Sequence, residues 1–231
     1  MKVLVLNTNE SPTNLNTYLT YSVFDGLVRN LGAENVSIVR YSDLISRLYE
    51  FEPNALLCID GQRAQRDVLL QAKKTGVSIV GWLTEDPFDL EFNLGNQDLF
   101  DMIFTSEIST VHEYPEGKAR YLPLGASEDL CEFPVRNDFW YDVCIAGTAW
   151  PERVEFCKQL VDRLPDLRWK IILATNDVVR DYDFALSKVE TDIRYAIKDL
   201  CRIYNHSAIT INLRRTYTLG LKREALSPPP R

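Results

Sequence analysis

The sequence predicts an α/β protein built on parallel, doubly wound sheets, and three observations carry the prediction. Short apolar runs such as Lys2–Leu6, Ala55–Ile59 and Val143–Ala146 recur along the chain, as expected for strands covered on both faces. Between them lie longer stretches with apolar residues at helical spacing, and glycine or proline closes most of these. After a stretch rich in proline, acidic and polar residues (123–139), the alternation restarts, which predicts a link between two lobes. Strict alternation implies right-handed βαβ crossovers, and in such sheets ligands bind beyond the carboxyl ends of the strands.

In chain order, the first strand is Lys2–Leu6, followed by a turn-rich loop (7–14) containing Asn9, Ser11 and Pro12. Leu15, Leu19, Val23, Leu27 and Leu31 then repeat at helical spacing, and Gly32 stops that helix. Val36–Val39 is a second strand, and Asp43–Phe51 a short helix broken by Pro53. Ala55–Ile59 is the third strand, and a helix through Val68, Leu69 and Ala72 ends at Gly76. Val77–Leu83 and Asp101–Thr105 are the fourth and fifth strands, with a helix from Ser106 toward Tyr114 and a short extended piece at Tyr121-Leu122. At the carboxyl ends of these strands Asn9, Gly61, Glu85 and Ser106 are expected to cluster.

In the second lobe, the strand Val143–Ala146 stops at Gly147, and Pro151-Glu152 opens a helix carrying Phe156, Leu160 and Leu164. A strand at Trp169–Ala174, a helical stretch around Ile193–Ile203 and a strand at Ser207–Leu213 follow. After them come Arg214-Arg215, Lys222-Arg223 and the polyproline-prone Ser227-Pro-Pro-Pro-Arg231. Only three strands of this lobe are convincing, so it reads as incomplete.

Composition narrows the function. The 231 residues are 45% hydrophobic and 26% charged, which is ordinary for a globular protein. A net charge of −7 argues against a general nucleic-acid or anionic-membrane surface. No apolar run approaches the ~20 residues that span a bilayer, and the amino terminus runs straight into a strand pattern without a cleavage signal. The five cysteines (58, 131, 144, 157 and 201) are scattered and have no metal-ligand spacing, and there are only two histidines, His112 and His206. The expectation is a cytoplasmic protein with reduced thiols, no metal and no cofactor.

Two clusters carry candidate chemistry. Glu85 and Asp86, followed by Pro87, stand at a strand end, where a carboxylate can deprotonate a hydroxyl or hold a sugar. The alternative reading of these acids, which the residues alone favour slightly, is a helix cap before Pro87 and Phe88. The second cluster is phosphate-friendly: Gly147, Thr148 and Arg153 at a helix start, with Arg214, Arg215 and Arg231 downstream. Amides and a dipole at a helix start favour an anion, and the planar arginine fork fits phosphate oxygens. Glu152 opposes an anion there, every βα unit needs such a turn, and the late arginines also suit a solvated tail.

Ordered motifs bear on these alternatives. Trp82-Leu-Thr-Glu-Asp-Pro-Phe88, Asp101-Met-Ile-Phe-Thr-Ser-Glu107 and Tyr121-Leu-Pro-Leu-Gly-Ala126 precede Tyr141-Asp-Val-Cys-Ile-Ala-Gly-Thr148 with Pro151 and Arg153. Ile211-Asn-Leu213 and Ser227-Pro-Pro-Pro-Arg231 complete the set. From about residue 80 onward the chain resembles the CgeB-like glycosyltransferases, a family first met among spore-maturation proteins. The resemblance implies the GT-B architecture: two Rossmann-like doubly wound lobes, the second incomplete here. Residues 1–125 would be the acceptor-side lobe, 126–139 the link and 140–231 the donor-binding lobe.

The resemblance further implies that Gly147, Thr148, Arg153, Asn212, Arg214, Ser227 and Arg231 bind the donor. Glu85 and Asp86 would be catalytic, and Asn9 and Ser106 would lie on the acceptor side. In the family, Ser-Pro-Pro-Pro-Arg leads into a Phe-Glu pair and a glycine-containing helix, and neither is in this sequence. The expectation is therefore a chain cut within its donor lobe, with a second copy or a partner covering the open side. Its partners would be a nucleotide sugar, used as co-substrate, and a saccharide or other hydroxyl acceptor. The alternative is a non-catalytic nucleotide- or saccharide-binding α/β protein. A phosphoacceptor or periplasmic-type sensor fits worse, since the paired amino-terminal acids and an export signal are both missing.

Overall fold

The computed structural model describes residues 1–8, 15–60, 65–125, 134, 137–174, 189–190, 196–213, 217–218 and 221–222. They fall into two compact units, one built on Met1–Leu124 and the other on Gly125–Glu224. Each unit carries its own parallel sheet and its own core.

In the first unit the strands are β1 (Val3–Leu6), β2 (Val36–Val39), β3 (Ala55–Ile59), β4 (Ser78–Leu83), β5 (Met102–Thr105) and β6 (Ala119–Tyr121). They lie in the order β2-β1-β3-β4-β5-β6, and every pairing is parallel. The helices are α1 (Leu15–Leu31), α2 (Leu44–Phe51), α3 (Arg66–Lys73) and α4 (Leu90–Asn96). The chain reverses direction across the sheet after β2, so right-handed crossovers send α1 to one face and the later helices to the other. Strand alternation matches this division. Val3 and Val5 pack with Leu19, Val23 and Leu27 of α1, while Leu4 and Leu6 pack with Leu44, Leu48, Leu69 and Leu90.

The sheet's switch point is therefore between β1 and β3. Helix α1 ends at Gly32, whose φ of 89° only glycine adopts cheaply and whose amide closes on the Val28 carbonyl at 2.9 Å.

Two elements of this unit depart from the sequence reading. Helix α4 was not anticipated, because Asn93, Gly95 and Asn96 are poor helix formers; burial of Leu90 and Asn93 outweighs their propensity. The stretch after β5 is a 3-10 turn, Ile108–Glu113, instead of an α-helix.

The second unit contains β7 (Tyr141–Thr148), α5 (Pro151–Arg163), β8 (Trp169–Ala174), β9 (Val189–Glu190), α6 (Ile197–Asn205) and β10 (Ser207–Ile211). The sheet order is β10-β7-β8-β9, again all parallel, with the switch point between β7 and β10. One face, Val143, Ile145, Ile171 and Leu173, packs on Val154 and Cys157 of α5. The opposite face, Cys144 and Ile172, packs on Leu200, Ile203 and Tyr204 of α6. The apolar stripe of α5 is thus Val154, Cys157, Leu160 and Val161, a correction to the sequence reading, since Phe156 and Leu164 are exposed. The three expected strands are joined by β9 and by an antiparallel pair, β11 (Tyr217–Thr218) and β12 (Leu221–Lys222), in the stretch read as tail.

One packing contact in the first unit gives a direct test. A Cβ on Gly81 would lie 2.7 Å from the ring of Phe100, which is fully buried and cannot swing away. Gly81→Ala is expected to destabilise the first unit by about 1–3 kcal/mol through overpacking. Urea unfolding of the variant against the parent measures it, and an unchanged midpoint would contradict the packing described.

Candidate functional site

The two carboxyl edges differ in chemistry. In the first unit the edge is acidic and knitted together by hydroxyl groups. Thr8, just past β1, donates its hydroxyl to the Ile59 carbonyl at the end of β3, across the switch point. The next residue, Asp60, is fully buried with a left-handed backbone (φ 59°), and its carboxylate accepts from the Thr84 hydroxyl at 3.0 Å. Ser106, past β5, donates to the Thr84 carbonyl at 3.1 Å. The ends of β3, β4 and β5 are thereby tied in sequence by Asp60, Thr84 and Ser106. Nothing in the pattern of apolar residues singles out Asp60; the Asp-Gly pair at a strand end was its one visible signal.

Of the two acids at the end of β4, Glu85 is half-buried and Asp86 is buried. Asn93 of α4 donates to Asp86 Oδ1 at 2.7 Å, while Oδ2 accepts from the Tyr114 hydroxyl at 2.9 Å and the Thr110 hydroxyl at 3.3 Å. Burial pushes the Asp86 carboxyl above its ordinary range, and the hydrogen bonds donated to it pull the other way. Burial likewise pushes the Tyr114 phenol up, and the neighbouring Asp86 adds to that. Asp86 is one of the two acids expected to be catalytic. Both its oxygens are engaged, and it fastens α4 and the 3-10 turn to the sheet. Glu107 is spent in the same way, as the cap of that turn, accepting from the Ser109 amide at 3.0 Å.

In the second unit, the edge at the β7/β10 switch point is organised by an arginine. Pro151 at the first helical position has the φ that α5 needs and lacks the N–H that would otherwise be orphaned. One turn in, half-buried Arg153 folds back over the strand end. Its Nη1 donates to the Thr148 carbonyl at 3.2 Å and its Nη2 to the Leu213 carbonyl at 2.7 Å. Gly147 makes room for it, since a Cβ there would stand 2.5 Å from Nη1. Thr148 and Asn212 are half-buried at the same edge.

Gly147, Thr148, Arg153 and Asn212 are thus brought together in one unit, and Glu85, Asp86 and Ser106 in the other. Asn9, Arg214, Ser227 and Arg231 lie outside the described residues, as do Gly61 and Arg215. Among the described residues no three His, Cys, Asp or Glu side chains are arranged to hold a metal, and no helix is long and apolar enough to cross a membrane. Cys58, Cys144 and Cys157 are buried free thiols.

This architecture is a GT-B-like, Rossmann-type α/β fold. Over 91% of the chain it superposes on the S. aureus MnaA–UDP structure with a TM-score of 0.53 at 10% identity, covering 73% of that chain. UDP-GlcNAc 2-epimerase from Neisseria meningitidis bound to UDP-GlcNAc gives 0.52 at 11% identity, covering 91% of this chain and 77% of that one. No protein-family profile matches. The spore protein CgeB of Bacillus subtilis (strain 168) is 27% identical over 124 residues, which is 52% of this chain. The match spans 39% of the length of that curated relative.

The Asp86 network predicts a pH signature. Because its folded pKa is raised, the folded state holds this proton more tightly than the unfolded chain. Its stability contribution is fully present below the ordinary aspartate value of 3.8 and is lost as pH rises through the folded value. Asp86→Asn, which keeps a neutral side chain of the same shape, should lack this loss. The stability of the parent relative to the variant should therefore fall as pH rises above the ordinary value, measured by urea unfolding at a series of pH values. Parallel curves would refute the assignment.

Proposed function

We propose that the protein binds a nucleotide-diphosphate sugar at the carboxyl edge of its second sheet and transfers the sugar to a hydroxyl acceptor held by the first, as a GT-B-type glycosyltransferase. The observation that carries this reading is the turn from Gly147 to Arg153: a strand end at a switch point, a helix start and an arginine are combined in seven residues. The similarity to CgeB and the fold shared with UDP-bound enzymes support it. Thr148 and Asn212 are assigned to the donor here, and the resemblance adds Arg214, Ser227 and Arg231. Asn9 and Ser106 are assigned to the acceptor side, where Ser106 acts by tying β5 to β4.

In this reading Glu85 takes the proton of the acceptor hydroxyl as the oxygen forms a bond to the anomeric carbon. The bond from that carbon to the diphosphate breaks, and the nucleoside diphosphate leaves with the electron pair. Positive charge at the second edge offsets the charge on the departing group, the role a divalent cation plays in other transferases. Asp86 supports Glu85 by holding α4 against the end of β4. Alignment of donor and acceptor supplies much of the acceleration. The engagement of Asp86 in the scaffold favours one rival, a binding protein without turnover, because it leaves Glu85 as the acid assigned to the reaction.

Incubation with labelled UDP-sugars in water separates the two readings. The parent is expected to bind UDP and to hydrolyse the donor slowly. Glu85→Gln should lower hydrolysis by about 100-fold and leave the UDP titration unchanged. Hydrolysis at the parental rate in that variant would remove Glu85 from the mechanism; no hydrolysis by the parent, with UDP still bound, would favour the binding protein.

A further inference from the structure

Beyond the last rung of a parallel ladder, neighbouring strands have no reason to stay together. The last paired residues of β7 and β10 are Ile145 and Ile211. Past that rung stand Thr148 and Leu213, whose carbonyl oxygens lie outside the β7–β10 ladder. Arg153 spans the two, with one nitrogen on each carbonyl. Hydrogen bonds from a charged donor are stronger than neutral ones, and a planar guanidinium makes two at a fixed separation. Leu213 packs in the same core cluster as Val154 and Cys157, so the clip and the core hold the same chain end.

We propose that Arg153 is a positioning residue of the donor edge: it closes the crevice between β7 and β10 from beneath, fixing Thr148 and Asn212 toward the ligand, and does not touch the phosphates with its own guanidinium. The proposal rests on the donor reading above for what the edge binds, but not for the clip itself. It reverses the role the sequence suggests for this arginine. An arginine whose two terminal nitrogens already donate to backbone carbonyls has fewer donors to offer a diphosphate than an outward-facing one.

Gly147 allows a test that keeps the charge. A Cβ at this position would meet Nη1 and displace the guanidinium while leaving the arginine in place, and the two Arg153 variants, which leave the φ of 158° at Gly147 untouched, separate that displacement from backbone strain. The experiment compares the 231-residue parent, Arg153→Ala, Arg153→Lys and Gly147→Ala in two measurements. The first is hydrogen exchange of the apoproteins. Amides of 207–213 should exchange at least about tenfold faster in all three variants, the equivalent of roughly 1.4 kcal/mol, while the first sheet is unchanged. Parental protection of 207–213 in Arg153→Ala would overturn the clip, whatever the protein binds.

The second measurement is calorimetric titration with UDP at low and high salt. Gly147→Ala and Arg153→Ala should lose about the same affinity, about tenfold, by an amount that does not shrink with salt. Lysine should not rescue, since one ammonium cannot span both carbonyls. Parental affinity in Arg153→Lys, or a loss in Arg153→Ala that fades at high salt, would show direct phosphate contact and overturn the proposal. If the parent binds neither UDP nor GDP, the donor reading fails while the exchange result still decides the clip.

Discussion

A parallel sheet satisfies its backbone along the ladder and abandons it at the ends, and the ends are where ligands bind. This protein has two such sheets, and in both the groups left over at the carboxyl edge are tied by side chains. In the first unit hydroxyls do the work: Thr8 reaches across from β1 to β3, Thr84 holds Asp60, and Ser106 holds the carbonyl of Thr84. In the second, a single guanidinium holds the ends of β7 and β10. The rest of each unit follows from these edges. Turns, helix starts and candidate ligand groups take their positions from where the strands are made to stop.

The choice of tie has electrostatic consequences. Hydroxyl ties add no charge, so the first edge keeps the acidic character of Asp60, Glu85 and Glu107, with Asp60 Oδ1 and Glu107 Oε1 engaged within the unit. The guanidinium tie leaves a cation at the second edge, in a chain whose net charge is −7. Local charge of opposite sign at two edges is more informative about ligands than the overall balance. An acidic edge suits hydroxyl-bearing ligands, which donate hydrogen bonds; a cationic one suits a diphosphate, which only accepts them.

Much of this was legible in the sequence, and the exceptions have physical causes. Strands β2, β3 and β8 lie where their apolar runs predicted, because a strand buried on both faces leaves little choice of register. Helix α4 was invisible because its asparagines and glycine argue against helix, and only tertiary burial of Leu90 and Asn93 reverses that. The stripe of α5 was misread because Phe156 and Leu164 are more hydrophobic than Cys157, yet Cys157 faces the sheet. At the candidate sites, sequence supplied residue types and neighbourhood but not orientation. Glu85 and Asp86 are adjacent and chemically equivalent on paper. Only the fold shows that one is buried under Asn93, Thr110 and Tyr114 while the other is half-exposed.

Arg153 makes the same point from the other side. A motif reading places an arginine in the first turn of a helix after a glycine-containing strand end and assigns it to an anion, since charge and location both fit. The geometry adds that its terminal nitrogens are already directed at backbone carbonyls, and that Gly147 is small enough to admit the guanidinium against the strand. Glycine and arginine are then a pair: the first provides the space and the second fills it. Read this way, the glycine is not needed for a phosphate to approach the backbone; it admits the guanidinium. In the proposed reading the groups that reach the ligand at such an edge are the neighbours of the clip, Thr148 and Asn212, and the clip itself stays with the scaffold.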